Sequence, residues 1–228
     1  MTRFPFRTIA FDLDGTLADT SPDLTASLNH ALEALGRPPL PAATVRALVG
    51  QGARALLAKG LAATGGGDEA LVERGLPLFL DFYADHICDG TRPFPGAEDA
   101  LGRLAASGAA LAVCTNKPGR LTTLLLDALG WSGRFAAVVF ADTFLVRKPD
   151  PLPLLEAIAR AGGGPAAYVG DSVTDADTAR AAGVPFVAFS GGFSDRPVET
   201  LGADRLIHHW DELDPALLSL AEPATVPA

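Results

Sequence analysis

Short apolar runs, each closed by a polar or glycine-bearing turn, punctuate the chain. The first is Phe6-Arg7-Thr8-Ile9-Ala10-Phe11, and it stops at the acidic turn Asp12 to Thr16. Others recur at Ala109–Cys114, Ala136–Phe140, Ala166–Val169 and Val184–Phe189. Runs this short and nearly continuous in apolar residues predict strands buried on both faces, as in a parallel sheet. Between the last four lie helical periods. Gly119–Leu129 carries leucines at helical spacing, Leu152–Arg160 does likewise, and Asp175–Ala182 stops at Gly183. Alternation of strand and helix predicts a doubly wound, mostly parallel α/β sheet. The triplet Gly162-Gly163-Gly164 precedes a strand, so it reads as a helix-to-strand loop and not as a phosphate cradle.

From about Ser21 to Asp89 the period is helical throughout. Ser21-Pro22-Asp23 predicts a helix start, with a capping serine, a first-turn proline and an acid favourable to the helix dipole. Leu24, Leu28, Ala31, Leu32 and Leu35 then share one face. Further helices are predicted over Ala42–Val49, Ala53–Ala63 and Asp68 to about His86, the last with a possible kink at Pro77. The segment Asp89 to Gly96 reads as a return linker. The division expected is therefore an α/β core, residues 1–20 and 90–228, with an inserted helical domain, residues 21–89. The Ala- and Pro-rich tail from Pro215 to Ala228 is expected to fray at its end.

The chain has 228 residues, 48% of them apolar, which describes a folded globular protein. The formal net charge of -9 disfavours nucleic acid and anionic membrane as partners. Two distant cysteines, Cys88 and Cys114, make no disulfide framework, and Cys114 is expected as a buried thiol. No run approaches the length of a membrane span and no signal peptide is visible, so a cytoplasmic protein is the expectation.

The polar clusters fall just past the C-terminal ends of predicted strands, the edge where open α/β sheets bind ligands. Asp12 and Asp14 follow the first strand, Thr115-Asn116-Lys117-Pro118 the second, and Gly170-Asp171-Ser172 with Asp175 a later one. Lys148-Pro149-Asp150-Pro151 lies just before a helix. Carboxylates this dense repel one another unless a cation neutralises them. All-oxygen ligation suits Mg²⁺, and the lack of a His or Cys cluster argues against zinc. One carboxylate can then attack phosphorus, the other can move protons, and Thr115, backbone amides and Lys148 can receive phosphoryl charge.

These motifs resemble those of the haloacid dehalogenase superfamily, and within it the phosphoglycolate phosphatase branch. Asp12-Leu13-Asp14-Gly15-Thr16-Leu17 matches the family's first motif, Thr115 the second, Lys148 before Pro149 the third, and Gly170-Asp171-Ser172 with Asp175 the fourth. The resemblance implies a Rossmann-like core under a mobile helical cap, and a Mg²⁺-dependent hydrolase of a small phosphorylated substrate. It implies Asp12 as nucleophile and metal ligand, Asp14 as acid/base and backbone metal ligand, and Asp171 as the remaining protein ligand. Asp175 would orient the site, Thr115 and Asn116 would contact phosphate, and Lys148 would steady nucleophile and phosphoryl oxygens. Gly52, in the loop Gly50-Gln51-Gly52, would face the substrate, and Arg54 and Lys117 are candidates to meet a substrate carboxylate. The favoured substrate is 2-phosphoglycolate; the alternatives are a phosphosugar mutase on the same core, a phosphatase for another small phosphate ester, a phosphonate hydrolase with Lys59 as its Schiff-base lysine, and a non-catalytic binding domain. Asp14 argues against a dehalogenase, which has no use for the second acid.

Overall fold

The structure, a computed structural model, describes residues 4–194 and 196–220. Strand β1 (Thr8–Phe11) leads into the acidic turn, and a two-residue strand β2 (Ala18–Asp19) follows. Four helices come next: α1 (Ser21–Ala34), α2 (Ala42–Arg46), α3 (Ala53–Ala63) and α4 (Glu69–Asp85). The chain returns through β3 (Arg92–Pro93), which pairs antiparallel with β2. The second half then alternates: α5 (Ala97–Ala106), β4 (Ala110–Cys114), α6 (Gly119–Ala128), β5 (Ala137–Val139), α7 (Leu152–Arg160), β6 (Ala166–Gly170), α8 (Val173–Ala182) and β7 (Phe186–Phe189). β8 (Arg205–Ile207) and α9 (Leu213–Leu220) close the fold.

The main sheet has six strands in the order β5-β4-β1-β6-β7-β8, all parallel. The doubly wound architecture expected from the apolar runs is thus present. Alternate side chains of each strand feed opposite layers, as the two-residue period requires. Ile9, Phe11, Val113, Val169 and Phe189 pack with Leu101, Leu104 and Trp210 on one face. Ala10, Cys114, Tyr168 and Ala188 pack with Leu154, Ala157 and Ala179 on the other. A third apolar cluster, built around Leu28, Leu32, Leu57, Val72 and Phe79, belongs to helices α1, α3 and α4. Only Leu121 of α6 joins it from the sheet side among its buried members.

Strand β1 is central, with β4 on one side and β6 on the other. The winding direction reverses there, which opens a crevice beyond the carboxyl ends of these three strands.

Several boundaries differ from the sequence reading. Helix α1 begins at Ser21 with Thr20 in the cap position, and the Ser21 hydroxyl donates to Asp19 instead of capping. Helix α2 ends at Arg46, because the chain must turn through Gly50 and Gly52, both at positive φ. Helix α8 starts at Val173, two residues earlier than its period suggests, because Ser172 and Asp175 form a reciprocal capping box. Pro77 sits inside α4 without ending it. The return linker contains β3, which its two prolines and glycines disguise. Of the tail, residues up to Leu220 lie in α9, and its expected frayed end lies outside the described residues.

Candidate active site

The acidic turn is set by β1. The Asp12 amide continues the ladder by donating to the Val169 carbonyl (2.9 Å), so its side chain projects past the sheet edge. Gly15 makes the next bend at φ +84°, and a Cβ there would come within 2.5 Å of Asp171 Oδ2 and 2.7 Å of the Phe193 ring. Only glycine fits both demands. Thr16 then donates to Asp171 Oδ1 (2.6 Å), and the Phe193 amide donates to Asp171 Oδ2 (2.6 Å). Asp171, delivered by β6, is therefore clasped between the first turn and the loop after β7.

Asp175 lies one helical turn into α8 and is fully enclosed. Its Oδ2 accepts from the Ser172 amide (3.1 Å) and hydroxyl (2.6 Å). Its Oδ1 accepts from Lys148 Nζ (2.7 Å) and the Tyr168 hydroxyl (2.7 Å). Burial alone would raise this carboxyl, but the Lys148 charge and these hydrogen bonds outweigh it and hold it below the ordinary range. Lys148 Nζ also lies 3.0 Å from Asp12 Oδ1. Burial opposes its charge, yet the Asp12 and Asp175 carboxylates prevail and push its pKa up.

Asp12 is in the opposite position. Burial, only partly offset by Lys148, raises its carboxyl to about 7, and the charges of Asp175 and Asp14 add to the rise. Asp171 is raised well above the usual range, by burial and then by Asp175 and Asp12, despite its two hydrogen bonds. The carboxylates of Asp12, Asp171 and Asp175 each offer an oxygen within 4.8 Å of the others. Both oxygens of Asp175 are already engaged, whereas the Asp12 carboxylate meets only Lys148, through Oδ1, among the described residues. Asp14 adds a fourth carboxylate, and among the described residues only Lys117 (3.1 Å from Asp14) and Lys148 counter the set. Four carboxylates against two ammonium groups leave a divalent deficit in a buried, all-oxygen site. That donor set fits a hard divalent cation held by Asp12 and Asp171.

The segment after β4 forms the facing wall. Thr115 and Asn116 are buried, and Asn116 Nδ2 donates to the Lys148 carbonyl (3.1 Å), tying the two loops together. Asn116 Oδ1 has no partner. Lys117 is buried and donates to Asp14 and to the Tyr83 hydroxyl of α4. Asp12, Asp14, Thr115, Asn116, Lys117 and Gly52 all line one cavity of about 460 Å³, counting its part open to solvent. Arg54 is not brought there. It pairs at the surface with Glu69 and Glu73 of α4, so it is engaged within the helical unit. Cys114 is buried beneath the site, and burial pushes its thiol up to about 12.

Three participants escape the sequence reading. Tyr168 and Tyr83 sit in an apolar strand and an apolar helix face, where only the rule that a buried tyrosine hydroxyl needs a partner hints at more. Arg46 spans from α2 to the core: it reaches Asp19 (2.9 Å) and the Gly191 carbonyl (2.7 Å), and its guanidinium lies 4.6 Å over the Phe193 ring.

Comparison with known proteins adds four findings. The sequence profile of the haloacid dehalogenase-like hydrolases matches residues 6–183. A phosphoglycolate phosphatase of Caulobacter vibrioides is 47% identical, covering 96% of this chain and 94% of the relative. One of Mesorhizobium japonicum is 46% identical, covering 90% and 92%. Among solved structures, a Haemophilus somnus protein described as a predicted phosphoglycolate phosphatase superposes with a TM-score of 0.87. It is 27% identical and the match covers 96% of this chain and 99% of that one.

Proposed function

The chain belongs to the haloacid dehalogenase-like hydrolases, and on that premise we propose that it is a Mg²⁺-dependent phosphatase of small phosphate monoesters, 2-phosphoglycolate first among them. The observation that carries the reading is the contrast between two buried carboxylates. Asp175 has both oxygens engaged by Lys148, Tyr168 and Ser172, whereas the Asp12 carboxylate meets only Lys148 among the described residues and lines the cavity. The named relatives support the choice of substrate.

In this proposal an Asp12 carboxylate oxygen attacks phosphorus, and the bond from phosphorus to the ester oxygen breaks. Asp14 gives that oxygen its proton, releasing the alcohol. Asp14 then takes a proton from a water as the water oxygen attacks phosphorus. The Asp12–phosphorus bond breaks, inorganic phosphate leaves and Asp12 is regenerated. Lys148 and Thr115 stabilise charge on the phosphoryl oxygens, and Asp175 holds Lys148 in place. Asp12, Asp171 and the Asp14 carbonyl would hold Mg²⁺, which supplies neutralisation of phosphoryl and carboxylate charge. Residues 21–89 act as a cap whose closure excludes bulk water. Initial rates over a panel of phosphate esters, with Mg²⁺ and with EDTA, test the reading. The expected result is Mg²⁺-dependent hydrolysis with 2-phosphoglycolate preferred. Folded protein that hydrolyses no ester on the panel would refute it.

The same charge imbalance predicts a stability effect. A carboxyl whose pKa is raised in the folded state contributes stability that is complete below its unfolded pKa, and this is lost as pH rises through the folded value. For Asp12 that loss builds as pH rises from the ordinary carboxylate range and is complete above about 7, and Asp171 shifts in the same direction. The metal-free protein is therefore penalised at pH 8, and a bound cation relieves the penalty. A Mg²⁺ concentration about 100 times the Kd at pH 8 is expected to raise the Tm by about 5–10 °C at pH 8, and the same concentration by clearly less at pH 5, where Asp12 is held by a proton. Scanning calorimetry at the two pH values checks this. An equal rise at both would contradict it.

A further inference from the structure

We propose that Arg46 is a positioning residue that ties the helical unit to Asp171, so that seating of that unit on the sheet edge and affinity for the divalent cation rise together. The inference rests on the Mg²⁺-dependent phosphatase reading and couples two of its parts. Arg46 is the last residue of α2, just before the loop that turns through Gly50 and Gly52. Nη1 donates to Asp19 Oδ2 (2.9 Å) and the Ser21 hydroxyl (3.2 Å), where the chain passes from β2 into α1. Nη2 donates to the carbonyls of Gly191 (2.7 Å) and Gly192 (3.2 Å), in the loop after β7. These four bonds match the four N–H groups on the two terminal nitrogens, and the guanidinium also lies 4.6 Å from the centroid of the buried Phe193 ring. Such a fork over an aromatic face is a task for arginine and not for lysine. Among the described residues, no other side chain of the helical unit hydrogen-bonds to Gly191, Gly192 or Phe193.

The loop that Arg46 grips is the one that sets Asp171. The Phe193 amide donates to Asp171 Oδ2 (2.6 Å), and a Cβ on Gly192 would come within 2.2 Å of the Asp171 Cβ. The Phe193 ring also abuts Gly15 of the acidic turn. Backbone packed this closely transmits displacement: the loop cannot shift appreciably without moving Asp171 or breaking its hydrogen bond. The orientation of a carboxylate ligand is set by such outer hydrogen bonds. When the helical unit lifts, Arg46 leaves with α2, and the loop loses both carbonyl contacts and the cation over its ring. Linkage makes the effect mutual: whatever closure adds to cation affinity, the cation adds to closure by the same factor. The cation is thereby held most tightly in the state that shuts water out.

At pH 8, titration calorimetry of Arg46→Met with Mg²⁺ should show a Kd raised about 5- to 50-fold over wild type. Arg120→Met is the control. It breaks an exposed ion pair with Asp81, which also joins the core to the helical unit but lies away from the Asp171 loop, and its Kd should stay within about twofold of wild type. Hydrogen exchange reads the coupling itself. In wild type, Mg²⁺ should slow exchange in residues 42–52 as well as in the loop after β7; in Arg46→Met the slowing in residues 42–52 should be lost. Phe193→Leu keeps the amide that holds Asp171 and removes the ring under the guanidinium. It should weaken Mg²⁺ binding in the same direction, and adding it to Arg46→Met should cost less than the product of the two factors. Circular dichroism establishes that each variant is folded. The coupling is overturned, and the phosphatase reading stands, if folded Arg46→Met binds Mg²⁺ within about twofold of wild type or if Mg²⁺ slows exchange in α2 equally in both proteins. An unchanged Kd in Phe193→Leu, or factors that multiply in the double variant, would overturn it too. If folded wild type binds no Mg²⁺ and hydrolyses no ester on the panel, both readings fall together.

Discussion

Asp12→Asn is expected to lower turnover of phosphate esters by about 10⁴- to 10⁶-fold, the scale on which removal of a covalent nucleophile acts. An amide oxygen neither attacks phosphorus nor carries the charge that forms an acyl phosphate. Stability should move the other way. Asp12 is a buried carboxylate whose ionised form is disfavoured by burial and by Asp175 and Asp14. Its neutral isostere removes that penalty, and Lys148 keeps Asp175 at 2.7 Å as a partner. At pH 8 without Mg²⁺ the variant should unfold at a temperature equal to or above that of wild type. It should also lose most of the Mg²⁺-induced rise in Tm, since one of the two carboxylates proposed to hold the ion is gone. Rapid acid quench supplies the direct readout: wild type with substrate should yield protein-bound, alkali-labile phosphate, and the variant none. Turnover within tenfold of wild type would remove Asp12 from the nucleophile role.

The residues of this site were legible in the sequence for a definite physical reason. Parallel strands buried on both faces leave short apolar runs with sharp ends, and ligand-facing residues sit at those ends. Asp12 and Thr115 are each the first residue past such a run and Asp171 the second, and the structure brings them to the crevice beside β1. The boundaries that went wrong depend on side-chain bonding that periodicity does not record. Ser172 and Asp175 start α8 early through a capping box, and Ser21 turns back to Asp19. Strands β2 and β3 are two residues each and have no period to detect. Cross-unit contacts were the least legible. Lys117 and Tyr83 are 34 residues apart, Arg46 and Gly191 are 145 apart, and nothing local in either stretch announces the partner. Arg54, a candidate for a substrate carboxylate by its place after Gly52, pairs instead with two glutamates one helix away that its sequence neighbourhood does not announce.

Lys148→Met carries the second large effect, and it divides between stability and rate. Lys148 Nζ lies 2.7 Å from Asp175, 3.0 Å from Asp12 and 2.9 Å from the Tyr168 hydroxyl, with 2% of the side chain exposed. Methionine fills the volume but leaves two buried carboxylates without their cation. Removal of one member of a buried ion pair costs about 3–5 kcal/mol, so urea unfolding of the metal-free variant should show a loss of that order. Activity should fall by roughly 10²- to 10³-fold, the scale for losing one preorganised charge at a developing phosphoryl anion. A double-mutant cycle with Asp175→Asn separates the two effects. Asparagine keeps an oxygen to accept from Ser172 at the start of α8, and it removes the charge that Lys148 neutralised. Lys148→Met/Asp175→Asn should therefore recover at least about 1 kcal/mol over Lys148→Met alone, while its kcat stays as low, because no cation returns to the phosphoryl oxygens. If activity recovers with stability, Lys148 acts only by holding the fold, and stabilisation of phosphoryl charge must then come from Thr115 and the backbone amides beside it.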